Sequence, residues 1–193
     1  GGRIKAEAEG DGISAGGYLQ IEDGTIDLLV GGGSVNGSSA SSGNYGGFMG
    51  GFGHGGMRPG GFQNTTTTTD ENSTSMKGIK AANSLLISGG TFHIDSADDS
   101  VHSDVSVTIN GGTSSLAAGG DGIHADNIID INAGFVDITK SYEGIEAAVI
   151  NISGGETAVT SSDDGFNATD GQTQQGGMGT YSNGVELNIS GGL

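Results

Sequence analysis

Apolar and polar residues alternate in runs of three to five along most of this chain, and the runs return at a fixed interval. The phrase acidic residue, Gly, Ile, polar residue, Ala stands at Asp121-Gly122-Ile123-His124-Ala125 and, 22 residues on, at Glu143-Gly144-Ile145-Glu146-Ala147. One period earlier Asp99-Ser100-Val101-His102-Ser103 carries Ser100 and Ser103 where the other copies have Gly and Ala. Asp164-Gly165-Phe166-Asn167-Ala168 follows after 21 residues. Lys77-Gly78-Ile79-Lys80-Ala81 precedes them with the charge reversed, and Asp11-Gly12-Ile13-Ser14-Ala15 stands alone near the start. A fixed period in this range is the mark of a solenoid.

Each unit divides into three strands. In the copy beginning at Asp121, Ile123 and Ala125 share one face while His124 and Asp126 share the other. Ile129-Asp130-Ile131 alternates again, and after the corner Ala133-Gly134 so does Phe135-Val136-Asp137-Ile138. Period-2 alternation broken by Gly, Asn and Asp is strand-and-turn chemistry, and no apolar stripe at helical spacing competes with it. Three strands and three corners in about 22 residues predict one coil of an all-β, right-handed parallel β-helix. Residues one period apart then stack about 4.8 Å from one another. Three interior ladders follow: Ile79, Val101, Ile123, Ile145 and Phe166; Ile87, Ile109, Ile131, Ile152 and Ile189; and Ile94, Leu116, Ile138 and Val159.

The rhythm predicts a single β-helix domain over residues 1–193, with Gly-rich loop insertions at 31–76 and 170–184. The first insertion holds the scattered aromatics Tyr45, Phe48, Phe52 and Phe62, and the second holds Tyr181. Both ends of the chain fall on Gly-Gly corners, so it reads as part of a longer protein, with room for a secretion signal outside it.

Charge narrows the choice of partner. Asp and Glu number 23 against six Lys and Arg, a net charge of −17. No basic patch can neutralise phosphates, which excludes nucleic acid, and no apolar span predicts membrane insertion. With no cysteine there is neither a disulfide nor a thiolate metal site.

Stacking turns the repeated acidic residue into a column of Asp99, Asp121, Glu143 and Asp164, flanked by Asp98 and Asp163. Carboxylates about 5 Å apart repel by about 3 kcal/mol per pair at an effective dielectric near 20, so the column calls for cations. His102, His124, Glu146 and Asn167 form a second column on the outward face, and Asp104 and Asp126 a third. Crowded hard oxygen donors suit Ca²⁺ rather than Zn²⁺, and the Gly-rich nonapeptide calcium repeat is excluded because 22 is not a multiple of nine. Lys77 and Lys80 continue the same columns with positive charge and close the acidic stack at one end. Lys140, three residues before Glu143, is either a charge partner of this face or a general base for uronate β-elimination.

The strings Gly120-Asp121-Gly122-Ile123-His124-Ala125-Asp126-Asn127, Lys140-Ser141-Tyr142-Glu143-Gly144-Ile145-Glu146 and Ser162-Asp163-Asp164-Gly165-Phe166-Asn167-Ala168 resemble those of a bacterial family. Its members are calcium-containing β-helix carbohydrate-binding proteins of plant-biomass degraders, similar in fold to pectate and pectin lyases. The resemblance implies affinity for cellulose and for acidic sugars such as polygalacturonate. Carried onto this chain, it implies calcium ligands among Asp98, Asp99, Asp121, Glu143, Asp163, Asp164 and Asn167. His102, His124, Asp104, Asp126, Lys140 and Glu146 are then candidates for contact with the sugar. The expected function is calcium-dependent, non-catalytic binding of cell-wall polysaccharide. A calcium-dependent pectate lyase with Lys140 as base is the alternative, and a calcium-rigidified adhesin or scaffold is the third reading.

Overall fold

The computed structural model describes residues 1–37, 75–170 and 184–192. Its sixteen strands form two parallel sheets that wind around one core. Sheet B holds the short strands that open each coil: β2 (Ile13–Ala15), β5 (Ile79–Ala81), β8 (Val101–Ser103), β10 (Ile123–Ala125), β12 (Ile145–Ala147) and β15 (Phe166–Ala168). Sheet A holds the other two arms of each coil. In it β1 (Arg3–Ala8), β4 (Thr25–Val30), β7 (Thr91–Ser96), β9 (Ser106–Ala118), β11 (Ile128–Lys140), β13 (Val149–Ile152) and β16 (Glu186–Ile189) succeed one another, joined by β3 (Leu19–Ile21), β6 (Ser84–Ile87) and β14 (Glu156–Val159). The result is a β-solenoid of six coils.

The predicted ladders are the observed pairings. Val101 pairs Ile79 and Ile123, and Ile145 pairs Ile123 and Phe166. Ile109 pairs Ile87 and Ile131, and Ile152 pairs Ile131 and Ile189. Leu116 pairs Ile94 and Ile138, and Ile138 pairs Val159. Each ladder also extends into the first coil through Ile13, Ile21 and Leu28. Most of these side chains are buried, the last coil apart, where Ile189 is exposed.

Two features differ from the three-strand expectation. In β9 and β11 the second and third arms run together as one thirteen-residue strand. Gly112 and Gly134, at φ +93° and +101°, turn the chain within the strand, and the β9–β11 pairing bulges there before it resumes at Phe135↔Thr113. Secondly, the pairing Ile13↔Ile79 joins residues 66 apart in the chain, so the coils on either side of the long insertion are direct neighbours in the stack. Gly31–Gly37, with a single 3₁₀ turn at Ser34–Asn36, begins that excursion, and Ser75–Met76 ends it. Residues 38–74 and 171–183, with their aromatics and His54, lie outside the described residues.

The repeated glycine before each sheet B strand has a packing cause. A Cβ at Gly78, Gly122 or Gly144 would meet Ile94, Ile138 or Val159 at 2.3–2.6 Å. Ser100 fills the same position in its coil. Its hydroxyl is buried, lies 3.1 Å from Ser96 Oγ and donates to the Ala117 carbonyl at 3.0 Å. Ser103 is likewise satisfied, donating to the Asn83 carbonyl and accepting from the Val105 and Ser106 amides.

Candidate functional site

The middle residue of each sheet B strand points outward between two inward neighbours, all apolar except Ser103, so the register alone builds an outer column. Lys80, His102, His124, Glu146 and Asn167 follow one another along it. The His102 and His124 rings lie 4.9 Å apart and 6° from parallel, one coil apart. Each ring is held between two carboxylates. His102 Nδ1 and Nε2 lie 2.9 Å from Asp99 and 3.0 Å from Asp104, while those of His124 lie 3.2 Å from Asp121 and 3.3 Å from Asp126. Burial pulls the His124 pKa down, but the Asp121 contact and the surrounding carboxylates outweigh it and leave the group raised above its ordinary value.

The acidic column lies beside this one, at the corner that opens each sheet B strand. Asp99 Oδ1 accepts the Asp121 amide at 2.8 Å, and Asp121 Oδ1 accepts the Glu143 amide at 3.3 Å. Each aspartate therefore caps the corner of the next coil. Asp99 Oδ2 also receives the Lys77 ammonium at 2.7 Å, and Lys77 reaches Asp98 at 2.9 Å. Burial raises the Asp99 carboxyl, but His102 and Lys77 overcome it and hold the group well below the usual carboxylate range. Burial likewise works against the Lys77 ammonium, and Asp99 and Asp98 reverse the effect and raise its pKa. Lys80, 4.0 Å from Asp11, adds the second positive charge expected at this end.

Among the described residues, the other end of the column is paired with no such cation. Glu143, one methylene longer than aspartate, is buried, and both its oxygens receive the Asn167 amide at 2.9 and 3.0 Å. Its pKa is raised, first by burial and then, against the Asn167 hydrogen bond, by Asp121, Asp163 and Asp164. Asn167 also donates to Glu146 at 3.3 Å. Asp121, His124 and Glu146 converge so that one ligand atom from each lies within 4.8 Å of the others.

Between these groups opens a cleft of about 290 Å³, lined by Asp98, Asp99, Gly120, Asp121, Tyr142, Glu143 and Glu146. Among the described residues five carboxylates and no basic side chain line it. The remaining predicted ligands, Asp163 and Asp164, are exposed beside it, while Asp104 and Asp126 stand at the outer ends of the histidine contacts. Tyr142 is the wall residue that periodicity does not mark, because its neighbours one coil away are Gly120 and Asp163. It lines the cleft and is hydrogen-bonded to Asp163, whose charge raises the phenol pKa.

Lys140 does not join this group. Its ammonium donates to the Ser34 carbonyl at 2.6 Å, at the start of the long insertion, and it enters no ion pair among the described residues. It lines a smaller neighbouring cleft with Ser34, Ser141 and Tyr142. Its partner is thus a backbone carbonyl, not the acidic column.

Among the described residues no helix is long and apolar enough to cross a membrane. A family model described as carbohydrate-binding domain-containing protein matches residues 1–122 and 106–186. No curated protein and no solved structure gives a significant match.

Proposed function

The chain belongs to the carbohydrate-binding domain-containing protein family, and we propose that it binds acidic cell-wall polysaccharides such as polygalacturonate through Ca²⁺ held at the carboxylate cleft of sheet B. The observation that carries this reading is the cleft itself: of the five carboxylates that line it, Asp121, Glu143 and Glu146 have no lysine or arginine against them among the described residues. A protein of net charge −17 repels a polyuronate unless cations stand between them.

The donor set fits a hard cation. Asp121, Glu143, Glu146, Asp163 and Asp164 offer carboxylate oxygens, and turning over the Asn167 amide exchanges its NH₂ for a carbonyl oxygen. Burial first, and then the neighbouring carboxylates of Asp121, Asp163 and Asp164, raise the Glu143 pKa, and a divalent ion would relieve the second of these. Asp98 and Asp99 serve differently: Lys77 already neutralises them, so they form the wall of the cleft and anchor the stack. Bound calcium supplies open coordination positions for uronate carboxylates, while His124 and Tyr142 border the path of the sugar. Acidic polysaccharide of this kind lies outside cells, which puts the protein in a secreted or surface-displayed place.

The test is binding of polygalacturonate with calcium, with EDTA, and in Glu143→Gln, each followed by calorimetry. Calcium-dependent binding that Glu143→Gln weakens supports the reading; equal binding in EDTA refutes it. Ultraviolet absorbance of an unsaturated uronide, measured in the same samples, separates binding from β-elimination. A steady rise lost in Lys140→Ala would replace the binder with the lyase.

A further inference from the structure

A second cavity lies away from the acidic cleft, on the outer face of sheet A. It is a groove of about 470 Å³ that crosses β1, β4, β7, β9 and β11. That volume lies within the range of small-molecule and sugar sites. Its two outward rows come from the register: Lys5, Asp27 and His93 in one, Glu7, Leu29, Asp95 and Ala117 in the other. Leu29 and Ala117, half-buried, are the apolar members of the second row, where they alternate with the carboxylates of Glu7 and Asp95.

We propose that this groove is a second glycan site, which takes a neutral, hydroxyl-rich chain without any cation. The inference rests on the carbohydrate-binding reading, but on none of the residues of the acidic cleft. Its polar groups are held in place before any ligand arrives. Asp27 Oδ2 receives Arg3 Nε at 3.0 Å, Asp27 Oδ1 lies 3.1 Å from His93 Nδ1, and Asp95 Oδ1 receives the Ser34 amide at 2.6 Å. Fixed carboxylates and an imidazole edge suit sugar hydroxyls, each of which both donates and accepts. Three carboxylates against the single ammonium of Lys5 disfavour a uronate here. The convergent carboxylate and histidine atoms found on sheet B among the described residues have no counterpart in this groove. Coils recur about every 4.8 Å, close to the length of one pyranose in an extended chain, so successive sugars meet equivalent positions of successive coils.

The experiment is calorimetry in EDTA with neutral hexasaccharides, namely xylohexaose, mannohexaose and cellohexaose. Calcium-dependent polygalacturonate binding is measured in parallel, and folding is followed by thermal unfolding. At least one hexasaccharide binds in EDTA. Ala117→Glu, which puts a charged chain into the second row, abolishes that binding and leaves the calcium-dependent binding of polygalacturonate unchanged. His93→Ala weakens it about tenfold, the cost of one polar contact. Failure of all three sugars in EDTA overturns the proposal, as does full binding by a folded Ala117→Glu. If polygalacturonate fails while a neutral sugar binds, the cation reading falls and this one stands.

Discussion

Asp99 and Glu143 occupy the same position in coils two periods apart, yet they answer the same crowding in opposite ways. Asp99 is buried with Lys77 and His102 against it and caps the next coil, and its pKa is lowered. Glu143 is buried with Asn167 as its partner among three further carboxylates, and its pKa is raised. The repeat determines where a carboxylate stands, and the neighbours one coil away decide whether it holds the structure or waits for a cation. Lys77 makes the difference, because it ends the run of acidic copies with a lysine that reaches Asp99 and the Asp98 beside it.

The comparison breaks most sharply at Lys77. Lys77→Met leaves Asp99 buried without its cation and is expected to cost about 3 kcal/mol of stability, read from urea unfolding. The same change at exposed Lys5 should fall within about 0.5 kcal/mol of the wild type.

Calcium should act on the opposite end. At a free concentration of about 100 times Kd it adds about 2.7 kcal/mol to folding. Asp121→Ala removes that gain, whereas Lys77→Met keeps it, and thermal unfolding with and without EDTA distinguishes the two.

The pH dependence of the calcium-free protein follows from the same asymmetry. Glu143 and His124 bind protons more tightly folded than unfolded, so their contributions are fully present below their ordinary values of 4.5 and 6.5. Both are lost as pH rises through the raised folded values. Asp99 works the other way: its contribution is present above 3.8 and is lost as pH falls through the lowered folded value. Stability in EDTA should therefore rise from pH 8 toward pH 5 and fall again in strong acid. Calcium should flatten the alkaline side, because it replaces the protons there. A curve in EDTA that is flat from pH 8 to 5 would refute the assignment of excess charge to the Glu143 end.

The smallest effect is at Glu143 itself. Glu143→Gln removes one of the repelling charges and should stabilise the calcium-free protein by about 1 kcal/mol, while it weakens calcium binding. Loss of stability in both conditions would mean that Glu143 is a structural hydrogen-bond acceptor like Asp99.

Much of the fold was legible in the chain. The ladders through Ile123, Ile131 and Ile138 appear in register because one apolar residue per strand must enter a core that only stacking can enclose. The acidic and histidine columns follow from the same period, as does the closing role of Lys77 and Lys80. The run of β11 through Gly134 as one strand was not legible, since a Gly in positive φ reads as a break until the ladder across it is seen. Nor was Lys140 legible: its partner Ser34 is 106 residues away and lies in no repeat.

Sequence by itself determined the period, the inward columns and the sign of the charge on each outward row, because these depend only on alternation and spacing. Tertiary structure alone decided which oxygens were already occupied, where Lys140 went, that Tyr142 borders the cleft, and that sheet A carries a groove. The physical reason is that hydrogen bonds and burial act across coils over a few ångströms. At that scale two identical letters one period apart meet different neighbours.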